Sequence, residues 1–124
     1  MLFLHMLWQE NPNVNFMPTG EVLGMVHLEP VQVEGHLFVG VVVELPKTNL
    51  IVLTTAKGYI MCGALDVQLL NERLADRGIV AARATGVRSL QDLLDFPLES
   101  VTKEAEKLGI TPGMKGREAL LRMA

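Results

Sequence analysis

The stretch that decides the fold runs from residue 59 to residue 85 and reads YIMCGALDVQLLNERLADRGIVAARAT. Its first part, Tyr59 to Gly63, and its last, Ile79 to Thr85, are short apolar runs of the kind that form strands. Between them, after an N-cap at Asp66 and as far as Arg77, apolar residues recur every three or four positions, which predicts a helix. A strand, helix and strand joined in this way form a right-handed crossover with parallel strands.

Upstream of this unit, the sequence predicts an antiparallel meander. We expect strands from Val31 to Glu34, from Leu37 to Leu45 and from Leu50 to Thr55, because each is apolar or β-branched and short turn sequences separate them. Short connections favour antiparallel neighbours. The second strand is apolar on both faces, so we expect it to be central in the sheet.

The C-terminal third predicts helices. Ser89 is a suitable cap for a short helix over Leu90 to Asp95, and an apolar stripe from Leu98 to Leu108 predicts a second helix that Gly109 ends. A last helix follows the turn at Thr111 to Gly113. The expected fold is α+β: a mixed sheet of about five strands with the C-terminal helices packed on it.

Length and composition limit the functional classes. A chain of 124 residues has the size of one domain, and a content of 49% apolar and 20% charged residues excludes a disordered class. The same apolar content favours a homo-oligomer, since a small domain cannot easily hide it. A net charge of -3 with scattered basic residues makes nucleic acid an unlikely partner. The single cysteine, Cys62, excludes an intrachain disulfide and fits a cytoplasmic protein.

The first 24 residues differ from the rest of the chain. No helical or strand period continues across Pro12, Pro18 and Gly20, so we expect little fixed structure before a single domain at residues 25–124. The apolar run at residues 1–8 is too short to span a membrane and lacks the basic segment of a signal peptide. We hypothesise that the native chain begins at Met25, because codons for residues 20–22 can resemble a ribosome-binding site.

The parallel strands also localise a candidate site. Their carboxyl ends lie at the same edge of the sheet, where the helix N-terminus opens. At this edge we expect ligand-binding side chains for a small anion, with Lys47 in the nearby hairpin as a further candidate. The residues predicted to bind it are Lys47, Gly63, Asp66, Arg83 and Arg88.

Arg83 is the most informative of these residues. It lies among alanines, which leave room for it and supply no opposite charge, so we expect it to be buried with an anionic partner. That partner is Asp66, Glu44 or a ligand. An internal ion pair is the more common arrangement in proteins.

Cys62 has two interpretations. Near a helix N-terminus and two arginines, its thiol suits a catalytic nucleophile, which leaves open whether the protein is an enzyme. A lone cysteine in an apolar run is more often a small core residue. The three histidines, His5, His27 and His36, have no metal-binding spacing, so we predict no metal and name no cofactor.

The segment from Leu108 to Gly116 resembles the hairpin of helix-hairpin-helix DNA-binding modules, which raises a nucleic-acid-binding alternative. It departs from that pattern by having two residues between Gly113 and Gly116, where those modules have one. Its glycines also suit an ordinary helix end and turn. A third alternative is a structural or interaction module in which the charged residues form ion pairs.

The sequence as a whole resembles the YunC-like family, a prokaryotic domain of unknown function. The run KGYIMCGALDV at residues 57–67 is the most specific part, and the similarity extends from about Val31 to Met123. The resemblance implies a compact α+β domain and carries no particular reaction, cofactor or partner. The family's distinctive residues coincide with the edge described above, at Cys62, Asp66, Arg83 and Arg88, and in addition at Lys47.

Overall fold

Residues 25–124, which the computed structural model of the chain describes, form a mixed six-stranded sheet with four α-helices. The structure does not describe residues 1–24. The hypotheses that concern them, that the native chain begins at Met25 and that His5 binds no metal, therefore lie outside the described residues. Within them, no helix is long and apolar enough to cross a bilayer. The α+β class expected from the sequence is confirmed.

The strands lie in the sheet in the order in which they occur in the chain. They are β1 (Val26–Val33), β2 (His36–Leu45), β3 (Thr48–Thr54), β4 (Gly58–Met61), β5 (Val80–Arg83) and β6 (Ser100–Val101). The pair β4 and β5 is parallel, as predicted, and all other neighbours are antiparallel. The helices are α1 (Val67–Glu72), α2 (Leu90–Asp95), α3 (Lys103–Lys107) and α4 (Gly116–Met123).

Strand β6 replaces the first turn of the helix that we expected from Leu98. The helix begins only at Lys103, because the hydroxyl of Thr102 accepts a hydrogen bond from the Ala105 amide, 3.2 Å away, and caps it. The same buried hydroxyl donates to the carbonyl of Ile79 at 2.8 Å and accepts from the amide of Ala81 at 3.1 Å, which ties the cap to β5. A strand of two residues is too short to show an alternating pattern, which is why the sequence predicted about five strands.

Helix α1 is also shorter than the predicted helix. Its cap is Asp66, as expected, but it ends at Glu72, and a 3-10 turn over Ala75–Arg77 follows. Gly78 then adopts a left-handed conformation with a φ of 60°, which glycine tolerates without strain. The polypeptide therefore leaves the helix early and still returns to the sheet where the sequence predicted.

One face of the sheet, here called the helical face, is covered by α2, α3 and α4. The main core lies between these helices and the sheet. Its buried side chains include Phe38, Ile51, Leu53, Ile60, Leu93 and Leu120. Helices α2 and α4 approach closely at Gly116, where a Cβ atom would overlap the carbonyl oxygen of Leu93. Glycine is therefore required at this crossing.

The described residues cover the opposite face, here called the open face, only over β4 and β5. There α1 packs a second cluster formed by Leu65, Val67 and Ala81. Over β1 and β2 the apolar side chains stay exposed, 70% for Leu28 and 64% for Leu37. Strand β2 lies inside the sheet, second from its edge, and its apolar open-face side chains are uncovered within the described chain.

Candidate functional site

The predicted site residues meet at one end of the sheet, but they lie on both faces. The parallel strands bring the carboxyl ends of β4 and β5 together, and the β2–β3 turn lies at the same end. Met61 pairs with Arg83, which places both side chains on the open face. Cys62 follows Met61 and belongs to the core of the helical face. The expectation of one pocket shared by Cys62 and Arg83 was therefore wrong.

On the open face, Arg83 is held by groups of the chain itself. Its Nε and Nη2 atoms donate to the carbonyl oxygen of Gly63 at 3.2 and 2.9 Å, and Nη1 donates to the Glu99 carboxylate at 3.2 Å. The Arg83 side chain is 33% exposed, so the expectation of burial was wrong. An internal ion pair does form, although its partner is Glu99 and neither Asp66 nor Glu44. Glu44 instead accepts a hydrogen bond from His27 at 3.1 Å.

Asp66 is occupied in a similar way, since its carboxylate accepts the Leu69 amide at 3.0 Å as the cap of α1. The cavity beside it, the Arg83 cavity, has a volume of about 730 Å³. Its lining holds three carboxylates, from Asp66, Glu72 and Glu99, against two cations, from Arg83 and Lys103. This balance disfavours an anionic ligand on the open face.

A second cavity, the Lys47–Arg88 cavity, opens at the same end of the sheet toward the helical face. Its volume is about 510 Å³, and its lining residues are Leu45, Lys47, Thr48, Asn49, Ile51, Val87 and Arg88. From the part of the chain that the structure describes, the lining holds two cations and no carboxylate. Among residues 25–124 neither cation forms a salt bridge. An anion entering this cavity would meet two positive charges, although the Asp92 carboxylate, which accepts a hydrogen bond from the Arg88 backbone amide at 3.0 Å, lies beside one of them.

Lys47 has an unusual backbone conformation. Leu45 pairs with Thr48, so Pro46 and Lys47 form a two-residue turn, and Lys47 has a φ of 65°. The proline ring fixes φ of the first turn residue near -65°, and turns with this sequence of signs normally carry glycine or asparagine second. A lysine in this position stores strain, and strained residues of this kind cluster at binding sites.

Cys62 lies beneath this second cavity. Its side chain is 7% exposed, and its Sγ atom lies 3.9 Å from the carbonyl oxygen of Asn49, whose residue lines the cavity. The burial agrees with the interpretation of Cys62 as a small core residue. A catalytic role for its thiol stays a prediction. Cys62 is not one of the described residues that line the cavity.

Sequence reasoning missed two groups of residues at this end. Glu99, the partner of Arg83, lies just before the unrecognised β6, and recognising that strand would have placed it beside Arg83. Thr48, Asn49 and Val87 line the Lys47–Arg88 cavity as neighbours of predicted cations. In the sequence, only their position next to Lys47 or Arg88 pointed to this role.

The segment with the helix-hairpin-helix resemblance joins α3 to α4. Gly109 and Gly113 have φ values of 83° and 92°, so both serve as the helix end and the turn that the sequence also allowed. Of the basic side chains beside it, Lys107 pairs with Glu104 at 2.8 Å and Arg117 pairs with Asp95. These pairs reduce the positive charge that a nucleic acid would meet here.

These features define the chain as a small α+β domain with two polar cavities at the end of its mixed sheet. A family model described as a domain of unknown function, DUF1805, matches residues 61–123. The uncharacterized protein YunC of Bacillus subtilis is 63% identical over 99 residues, which are 80% of this chain and 98% of that protein. The chain belongs to this YunC-like DUF1805 family, so the resemblance found in the sequence is confirmed.

A solved structure has a similar fold. The crystal structure of a protein of unknown function, TA1206 from Thermoplasma acidophilum, is 28% identical and has a TM-score of 0.72. The similarity covers 81% of this chain and 94% of that chain. The sheet and the helices around it are thus shared across a wide sequence distance.

Proposed function

We propose that this chain is a homo-oligomeric cytoplasmic protein that binds a small anionic ligand in the Lys47–Arg88 cavity. The observation that carries the proposal is the presence of two cations in one cavity to whose lining residues 25–124 contribute no carboxylate. A fixed pair of positive charges stabilises an anion near it, and no group of residues 25–124 already offsets this pair through a salt bridge.

The strained backbone of Lys47 supports the proposal independently. A glycine or asparagine would relieve the strain of a positive φ, whereas only a basic residue supplies the charge. Gly63, Asp66 and Arg83 have a supporting role in this proposal. They hold the end of the sheet in shape through the Arg83 hydrogen bonds and the α1 cap, on the face opposite the ligand.

The experiment compares two arginines that lie at the same end of the sheet. Thermal unfolding is followed with phosphate, sulfate and small carboxylates at low ionic strength, for the wild type, Arg88→Gln, Lys47→Gln and Arg83→Gln. A ligand present at a hundred times its Kd adds about 2.7 kcal/mol to stability. We expect Arg88→Gln and Lys47→Gln to lose that increment and Arg83→Gln to keep it. No stabilisation by any anion would reject the proposal.

The oligomer in this proposal forms through the open face of β1 and β2. Leu28 pairs opposite Val41, and Leu37 and Val39 lie along the same face, so exposed apolar side chains form a continuous surface there. A surface of this kind in a small domain favours association, and a second copy of the chain offers an identical apolar face. Burial of these side chains would also account for the high apolar content of the composition.

Light scattering on two leucine variants tests the interface. We expect Leu28→Glu to dissociate the oligomer, because it would bury a charge in the interface. Leu108→Glu, at the C-cap of α3 and away from that face, is the matched control and should leave the mass unchanged. A wild type that is monomeric at high concentration would reject the oligomer. If the oligomer forms and no anion binds, the protein is better described as an interaction module.

A further inference from the structure

We infer that the ligand of the Lys47–Arg88 cavity is a phosphate monoester with a short apolar body. This inference rests on the proposed function and makes it more specific. It specifies that the ligand has a net charge of about -2 and that a hydrocarbon portion is attached to its phosphate. Each part follows from a different property of the cavity.

The charge of the ligand follows from the two cations. A phosphate monoester carries a charge of about -1.5 to -2 at pH 7, which the Lys47 ammonium and the Arg88 guanidinium together offset. The guanidinium fork suits two phosphate oxygens, and lysine acts as a point charge beside them. Thr48 and Asn49 line the same cavity, and a hydroxyl and a side-chain amide are neutral donors suited to a further oxygen.

The apolar body follows from the size and lining of the cavity. One water occupies about 30 Å³ in the liquid, and a phosphate ion is only a few times larger. The cavity has about 510 Å³, so most of it stays open to the rest of the ligand. Leu45, Ile51 and Val87 are the apolar residues of the lining, and Val87 packs against the main core, so these residues are the ones that an apolar body would contact.

The three probes in the test separate the effect of the charge, of the hydrocarbon body and of the phosphate group. Inorganic phosphate has the charge without a body, n-propyl phosphate has both, and succinate has two charges on carboxylates. Binding is measured by calorimetry on the whole chain. We expect n-propyl phosphate to bind roughly tenfold more tightly than inorganic phosphate, since about two methylene groups become buried. Succinate should bind more weakly than n-propyl phosphate, because its charges are separated.

Two variants assign the two parts of the ligand to residues. Arg88→Gln should abolish binding of both phosphates, because it removes one of the two charges. Val87→Thr should reduce the tenfold advantage of n-propyl phosphate over inorganic phosphate severalfold, because it places a hydroxyl against the hydrocarbon. The thermal stability of each variant without ligand shows whether it folds.

The possible failures are distinguishable. Equal affinity for inorganic and n-propyl phosphate, both lost in Arg88→Gln, would overturn the apolar body and leave the anion site in place. Tighter binding of succinate would overturn the phosphate. No binding of any of the three probes would reject the anion site itself, and with it the proposed function.

Discussion

The two faces of this sheet differ in both packing and charge. The helical face has three helices and a continuous core, and it ends in a cavity whose two cations form no salt bridge within residues 25–124. The open face has one short helix and exposed leucines, and it ends in a cavity where Arg83 is already bound by Gly63 and Glu99. The face with more packing is thus the one whose cavity holds cations without a salt-bridge partner in the described residues.

This difference indicates that the arginine used within the fold and the arginine proposed to bind a ligand lie on different faces of the sheet. Arg83 connects the loop after β4 to the segment before β6, so its charge is used within the fold. Arg88 precedes α2, and its backbone amide donates to the Asp92 carboxylate at 3.0 Å, whereas its guanidinium forms no salt bridge within residues 25–124. The comparison suggests that substitutions on the two faces should affect different measurements.

The largest expected effect is on the packing of the helical face. Gly116→Ala introduces a Cβ atom into the space of the Leu93 carbonyl, so α2 and α4 must separate. We expect a loss of about 3 kcal/mol in the free energy of unfolding, as for strong overpacking of a core. Denaturant titration followed by circular dichroism measures it.

Gly63→Ala is the control on the other face. The nearest side-chain atom to its new Cβ would be Arg83 Nη2 at 3.7 Å, an ordinary contact, so we expect a change within about 0.5 kcal/mol. Equal losses for the two alanine variants would contradict the difference in packing between the faces.

A smaller effect is expected from the charges of the open face. Arg83→Met removes three hydrogen bonds, and we expect a folded protein that is less stable by about 1 kcal/mol, because both ion-pair partners are a third to a half exposed and screened by water. Glu99→Gln should lose less, since the bonds to Gly63 remain. Salt titration of both variants measures the ionic part. If Arg83→Met fails to fold, Arg83 has a larger structural role than these contacts indicate.

The smallest effect concerns acid. Hydrogen bonds from Gln91 and then from Arg117 hold the pKa of Asp95 below the ordinary aspartate value of about 3.9. The ionised group therefore stabilises the fold above that ordinary value, and this contribution is lost as the pH falls through the lower pKa of the folded state.

Asp95→Asn lacks this contribution at every pH. We expect its stability deficit against the wild type to be constant from pH 7 to about pH 4 and to shrink below it. Unfolding titrations at several pH values measure the deficit. A deficit that stays the same down to pH 2 would show that the Asp95 contacts do not affect its ionisation in the folded state.

Local patterns predicted most of the fold. The turn residues around Lys47, the Ser89 and Asp66 caps and the Gly109 helix end lie where the sequence placed them, and the parallel pair followed from chain topology. The sequence did not predict strand β6, because two residues are too few to show the alternation of apolar and polar side chains that is typical of a strand. The burial of Arg83 was inferred from small neighbours, whereas its position at the end of β5 leaves it partly in water.

The division of the site between two faces required information that the local sequence does not contain. Whether Arg83 lies on the side of Met61 or of Cys62 depends on the register of β4 against β5, and a shift by one residue would exchange the faces. The separation of Arg88 from Arg83 depends in addition on the loop around Gly86, whose φ of 76° turns the chain toward the helical face.

The sequential order of the strands bears on how the chain assembles during synthesis. Each strand pairs with its neighbour in the chain, so the sheet can grow by addition as the ribosome releases it, and local pairing of this kind speeds folding. Leu120 and Met123 of α4, which cover the helical face, are made long after β4. The nascent sheet therefore exposes an apolar face until α4 docks, which is the interval in which chaperones or aggregation would compete for it.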